Sequence, residues 1–432
     1  MGEAAADHRQ RLCAAMVETA AQHGYSGATV ARVVGRAGVS RATFYEHFAD
    51  RDDCFLAAYR DKAAVGKRRV SLAADRAPAA GRPEAVLDAL LGELAADRAA
   101  ARLLLIEALA APSPVRDEHE GLITGIDAAV AEFLDQQAPC AAIQIPATAL
   151  TAGVVDVLAR RALGDGGIDL SQLRSDLLRW IAAYRLPGGV GALPQRRWAE
   201  LGRFAKLVEP RRPEAPALLP RGRSALPEEE AAADRRRRLL DATARLTAED
   251  GYSALTVAEI AAAARVPRAA FYSHFESKQD ALMAAQTHGL QGAMAVAAAE
   301  YSPPAPWPER ARKAMRAFLV YLAEMSDYAR LDFVESYAAG PAAVRHRHQN
   351  QMVFALFLED GYRQNPDAAR LPRACSEAIA GSILGLVRTL IVEGKTDRML
   401  SLLPAAVYTV LAPFIGPQEA ALQVQDRARG AG

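Results

Sequence analysis

Arg41, Thr43, Tyr45 and His47 fall within seven residues of the chain, and 227 residues further on Arg268, Tyr272 and His274 repeat the arginine, tyrosine and histidine at the same spacing. These side chains suit recognition rather than bond breaking. A guanidinium donates a planar fork of hydrogen bonds that matches the edge of guanine, and a threonine methyl suits the methyl of thymine. Tyrosine, histidine and the nearby Arg51 or Lys278 suit phosphate oxygens, which fix register without reporting sequence. Other chemistry finds little support. No Ser-His-Asp or Cys-His arrangement emerges. His346 and His348 lie two apart, so a helix would not bring them to one face. Gly188-Gly189-Val190-Gly191 lacks both the GxGxxG spacing and a preceding strand. Cys13, Cys54, Cys140 and Cys375 are scattered with no CxxC pair. No metal, no cofactor and no enzymatic activity are expected.

The elements that would hold the arginine and tyrosine can be read from the flanking residues. Val30, Val33, Val34 and Ala37 recur at i, i+3, i+4 and i+7, which predicts a short helix with one buried face. Thr29 stands at its N-cap; the counterpart Thr256 is followed by Glu259 at capping-box spacing. Gly38, free to adopt positive φ, ends this helix in a tight turn, and a second short helix follows over Ser40 to His47. Phe44 and Phe48, four apart, face the core and turn Tyr45 and His47 to other surfaces, leaving Arg41 and Thr43 near the helix start. Helix, tight turn, helix is the layout that delivers a second helix to the DNA major groove. The second copy departs from the first: Arg265 stands for Gly38, Pro267 for Ser40 and Ala270 for Thr43. Weaker or altered base reading with retained phosphate contact is expected there. The Arg235 to Arg238 run adds charge on the preceding helix.

This repeat organises the whole chain. Between Thr29–Phe48 and Thr256–Phe275, eleven of twenty positions are identical, and Gly24-Tyr25-Ser26 recurs as Gly251-Tyr252-Ser253. The segment Arg102 to Ala111 parallels Arg330 to Ala339 at an offset of 228. At 432 residues, with aromatics at 6% and β-branched runs scarce, the chain reads as all-α and multidomain. The boundaries read as a first DNA-binding domain over 6–66, a helical effector and dimerisation domain over 67–208, and a Pro-rich linker over 209–230. A second DNA-binding domain over 231–293, a second effector domain over 294–416 and a flexible tail over 417–432 follow. A net charge of +1 decides nothing, because a basic face can sit on an otherwise acidic chain. The most apolar stretch, Cys140 to Leu158, is broken by Gln144, Pro146 and Asp156, and Met1 to Gln10 has no apolar run. No membrane span, no secretory signal and a cytoplasmic location are expected.

The run from Thr29 to Phe48, with its Ala-Gly-Val-Ser turn and Tyr-x-His-Phe close, resembles the helix-turn-helix signature of the TetR family, and Thr256 to Phe275 resembles it again. Expected DNA contacts are Thr29, Ser40, Arg41, Thr43, Tyr45, His47 and Arg51 in the first copy, and Thr256, Pro267, Arg268, Tyr272, His274 and Lys278 in the second. The resemblance implies three-helix DNA-binding domains, each followed by a larger helical domain that binds a small molecule and dimerises. Candidate pocket residues in the second half are Phe318, Tyr321, Phe333, Tyr337, Phe354 and Phe357, most of which fit a core equally well. The apolar helices near Thr148–Leu163 and Ser171–Tyr184 resemble the family's dimerising pair, as do those near Arg373–Glu393 and Met399–Phe414. One chain would then supply both halves of a dimer interface and form an intramolecular pseudo-dimer; a homodimer of tandems is the alternative. The implied function is a transcriptional regulator, a repressor released from an asymmetric double-stranded operator by an unidentified small molecule. The competing reading is a ligand-binding or protein-interaction scaffold that has lost specific DNA binding.

Overall fold

The computed structural model describes residues 2–78, 81–136, 144–164, 169–186, 195–203, 205–211, 227–302 and 304–428, and among them there are helices and no strand. The first half runs α1 (Gly2–Gly27), α2 (Val30–Ala37), α3 (Arg41–His47), α4 (Arg51–Arg76), α5 (Arg82–Ala96), α6 (Arg98–Arg102), α7 (Ala108–Ala110), α8 (Ser113–Gln136), α9 (Ala147–Leu163), α10 (Leu170–Ala182) and α11 (Gln195–Gly202). The second runs α12 (Glu228–Asp250), α13 (Val257–Ala263), α14 (Arg268–Phe271), α15 (Lys278–Tyr301), α16 (Trp307–Glu324), α17 (Ser326–Phe333), α18 (Pro341–Gln351), α19 (Ala374–Val392), α20 (Leu403–Ile415) and α21 (Pro417–Ala428).

The chain divides into two compact units, and not at the linker. One contains Met1–Leu201 together with Phe354–Leu386 and Pro404–Gly432; the other contains Gly202–Val353 and Val387–Leu403. The first unit thus takes most of α19 and nearly all of α20 from the second half. Small residues let these helices meet α9 and α10 closely. A Cβ on Gly153 of α9 would fall 2.6 Å from Trp180 Cη2 and 2.7 Å from the Ala378 carbonyl of α19, and Gly381 and Gly385 face Asp156 and Ala152 in the same way. At the α10–α20 contact the fully buried Tyr184 hydroxyl donates to the Thr409 carbonyl at 2.8 Å and accepts from Trp180 Nε1 at 3.1 Å. Arg161 and Glu377 close the seam at 2.9 Å.

Several sequence expectations change. The 66/67 and 293/294 boundaries fall inside α4 and α15, because each of these helices runs on from its DNA-binding module. Helix α12 begins at Glu228, where three glutamates favour a helix N-terminus, so the linker ends before 230. Linker residues 212–226, the loop at 188–191 and Cys140 lie outside the described residues. The stretch after Pro417 is helical to Ala428, with Ala420 and Val424 buried, and is not a flexible tail over that span. Among the described residues, Ala374–Val392 and Thr396–Ile415 are strongly apolar helical segments. They are long and apolar enough to cross a membrane, and 67% of each is buried inside the protein.

Candidate nucleic-acid interface

Each helix-turn-helix is built on one small core. In the first, Leu12, Met16, Val33, Phe44 and Phe55 are fully buried and Phe48 nearly so; in the second, Leu239, Ile260, Phe271 and Leu282 fill the same role beside Phe275. The paired phenylalanines meet at ring-centroid distances of 5.7 Å and 5.5 Å, and Arg9 and Arg236 each lie 5.3 Å over the outer ring. With those faces buried, Tyr45 at 58% and Tyr272 at 52% exposure must point outward. Arg41 and Arg268 stand exposed on the first turn of α3 and α14, and among the described residues neither is held in an ion pair.

The turns differ as the sequence predicts. Gly38 adopts φ 65° and closes α2, whereas Arg265 holds φ 54°, the single non-glycine residue at positive φ among those described. Arg11 Nη2 braces the first turn by donating to the Ala37 carbonyl at 2.5 Å. Ser40 caps α3: its Oγ accepts from the Thr43 N–H at 3.0 Å and lies 2.9 Å from the Thr43 hydroxyl. Pro267 has no side-chain oxygen for that task, so the Ala270 N–H falls to the Pro267 carbonyl at 2.9 Å, and α14 is only four residues long, shorter than the helix expected there. Thr29 and Thr256 cap α2 and α13, the latter in a complete capping box with Glu259.

Two expected phosphate donors are turned inward. Arg51 stacks 4.3 Å over the Tyr25 ring, donates to the Tyr25 hydroxyl at 2.7 Å and pairs with Asp52. Lys278 occupies the same place over Tyr252 and donates to the carbonyls of Tyr252 and Leu255 at 3.1 and 2.9 Å. Burial lowers the Lys278 pKa. Both cations therefore clamp the corner between the first two helices of their module. His47 is partly buried near His8. His274 is held below the ordinary imidazole pKa by desolvation and then by Arg235 and Arg236. Of the Arg235–Arg238 run, Arg238 is buried against Asp234 at 2.6 Å, and Arg235 and Arg237 are paired with Glu228 and Asp234.

Residues 12–58 and 239–285 both match the family model described as bacterial regulatory proteins, tetR family, and the two matches are offset by the 227 residues of the repeat. The chain carries two tetR-type DNA-binding modules in tandem. Over 63 residues it is 38% identical to the HTH-type transcriptional repressor AcnR of Corynebacterium glutamicum, covering 15% of this chain and 34% of that relative. Over 70 residues it is 38% identical to AcnR of Corynebacterium efficiens, covering 16% and 37%. The chain thus spans about a third of the length of the curated relatives it matches. Similar solved structures include the fatty acid degradation regulator FadR from Bacillus halodurans (TM-score 0.36, 17% identity, 40% of this chain and 97% of that one). FadR from Bacillus subtilis in complex with stearoyl-CoA is another (TM-score 0.35, 18% identity, 40% and 97%).

Beyond the tetR-type modules, the six candidate pocket residues do not share one compact unit. Phe318, Tyr321, Phe333 and Tyr337 belong to the second unit, and Phe354 and Phe357 to the first. Phe318, Phe333 and Tyr337 are core; Phe333 and Tyr337 flank the buried Arg347 guanidinium at 5.3 and 5.4 Å, and Tyr321 packs on Gly292. Aromatic content alone did not separate core from pocket lining, because both environments favour the same side chains. An open cleft of about 770 Å³ lies instead in the first unit, bordered by Arg179, Asn365, Arg370, Leu371 and Phe414. His346, read as an unlikely metal ligand, hydrogen-bonds the Thr287 hydroxyl at 2.9 Å.

Proposed function

We propose that the chain is a cytoplasmic, non-enzymatic DNA-binding transcriptional regulator whose two modules read one asymmetric operator as an intramolecular pseudo-dimer. The observation that carries this reading is the pair of buried phenylalanine staples presenting Arg41 with Tyr45 and Arg268 with Tyr272 to solvent. In this reading Arg41 and Thr43 reach base edges; Thr29, Ser40, Tyr45 and His47, with Thr256, Arg268, Tyr272 and His274, grip the backbone, and Pro267 makes apolar contact. Arg51 and Lys278 act indirectly, by holding the corner. The seam of α9 and α10 with α19 and α20 supports the pseudo-dimer, since it pairs the terminal helices of both halves within one chain. Recognition helices would then be about 34–36 Å apart, one turn of DNA, or a multiple of that. A small molecule that favours a different effector-domain arrangement would release the operator.

Gel shifts with duplexes selected from a random pool test this. A single preferred non-palindromic site, bound by one chain of 46.2 kDa and lost in Arg41→Ala, is the expected result. Absence of any preferred sequence at low salt would return the chain to the scaffold reading. A dimer mass with four protected half-sites would replace the pseudo-dimer by a dimer of tandems.

A further inference from the structure

Each half carries one buried carboxylate that reaches from the effector domain to the joint ahead of the helix-turn-helix. Glu107, 4% exposed, accepts a hydrogen bond from the Tyr25 backbone N–H at 2.8 Å, and Glu335, 9% exposed, accepts from the Tyr252 N–H at 3.1 Å. The joint is prepared for this. Gly24 (φ 75°, ψ 167°) and Gly251 (φ 82°, ψ 151°) break the helical path, so that the following tyrosine is anchored by a side chain from 82 or 83 residues away. The tyrosine ring is fixed at the same time by the cation over it, and Tyr25 Oη also donates to Asp52 at 2.6 Å.

The segments that supply the two glutamates are irregular. Glu107 closes a π-helical turn, Leu103–Glu107, between α6 and α7. Glu335 opens a 3-10 turn directly after Val334, which leaves helical geometry at φ −123°, ψ −57°. Such turns mark positions where a helix departs from its ordinary register. Here the departure coincides in both copies with the residue that touches the DNA-binding module. The carboxylates also differ in their second partner: the other oxygen of Glu107 accepts from Arg102 Nε at 3.0 Å, while Glu335 has no ion pair among the described residues.

We infer that Glu107 and Glu335 are positioning residues that set the orientation of each helix-turn-helix from inside the effector domain. The carboxylate-to-tyrosine hydrogen bond is then the joint through which a rearrangement of α6–α7 or α17 reaches α2–α3 or α13–α14. This rests on the regulator reading above. A buried hydrogen bond to a charged group is costly to leave half-made, so the joint moves with the segment that holds the carboxylate.

The test uses the full chain and the duplex that the wild type selects. Glu107→Leu and Glu335→Leu remove the acceptor, whereas Glu107→Gln and Glu335→Gln keep an oxygen for the tyrosine N–H. DNA affinity, corrected for the active fraction, is measured with amide hydrogen exchange at Tyr25 and Tyr252. The expected result is roughly a tenfold or greater loss of affinity and faster exchange in each Leu variant, with the Gln variants within about threefold of wild type. Leu variants that bind as tightly as wild type per folded molecule, or Gln variants that fall as far as Leu, would overturn the inference. If the Leu variants do not fold, the Gln variants and the wild-type exchange decide it, since an unprotected Tyr25 or Tyr252 amide contradicts the joint. Failure of the wild type to select any duplex would sink the regulator reading while the exchange data still report on the joint.

Discussion

The two helix-turn-helix modules share their interior and differ in their outward polar atoms. Phe44 with Phe48 and Phe271 with Phe275 staple the cores alike, and Glu107 and Glu335 hold the entry tyrosines alike. The turn and cap are where they part. The first module has Gly38 in the left-handed region and Ser40 capping a seven-residue helix; the second has Arg265 in that region and Pro267 leading a four-residue helix. A scaffold can therefore keep its shape while the groups that would read base edges change.

The effector cores differ in the same instructive way. In the first half Tyr59 and His119 form a buried hydrogen-bonded pair at 3.3 Å. In the second, Gln286 occupies the place of Tyr59 and donates to Asp332 at 3.1 Å, with Arg347 buried nearby. Burial raises the Asp332 pKa against the pull of Arg347, Gln286 and His346. At this place the first half buries a tyrosine and a histidine, and the second a glutamine and an arginine around an aspartate, a polar group of residues that is expensive to disturb.

The largest expected effect probes what the modules share. Phe44→Ala and Phe271→Ala should each cost about 3–5 kcal/mol, read from thermal or denaturant unfolding, because both rings are fully buried. Unequal losses would show that the cores are less alike than their geometry. Next comes what separates them. Arg41→Ala should lower affinity for the selected duplex by about ten- to a hundredfold and relax sequence preference at one position, as loss of a bidentate base contact would. Arg268→Ala should weaken binding to all sequences and reduce its salt dependence. Equal loss of preference in both would erase the proposed asymmetry.

Smaller effects sharpen the turn. Arg265→Gly should stabilise the second module by roughly 1 kcal/mol and Gly38→Ala should destabilise the first by a similar amount, since only glycine tolerates positive φ without strain. The smallest effect concerns His274. Its folded-state pKa is depressed, so its contribution to stability is present above the ordinary histidine pKa and is lost as the pH falls through that value towards the folded one. Stability of the second module should decline in that window, and His274→Gln should flatten the decline; an unchanged pH profile in the variant would assign it to other groups.

Much of the interface was legible because it is local. The i, i+3, i+4, i+7 spacing, the threonine caps, the glycine turn and the four-residue phenylalanine spacing act within one or two helical turns. The inward turn of Arg51 and Lys278 was not legible, because a cation one residue outside a motif looks the same whether it meets phosphate or an aromatic ring. The glutamate joint left a trace, an acid recurring at 107 and 335 within the repeated segment. Its partner, a backbone N–H more than eighty residues away, left none.

The sequence by itself determined the duplication, the helical class, the caps and the faces that each short helix buries. Tertiary structure alone decided that α19 and α20 close on α9 and α10, that Phe318, Phe333 and Tyr337 are core, and that Pro417–Ala428 is a helix. The reason is physical range. Backbone propensity and side-chain periodicity are settled among neighbours, whereas the choice of partner for an apolar face depends on shape and small-residue contacts between segments hundreds of residues apart.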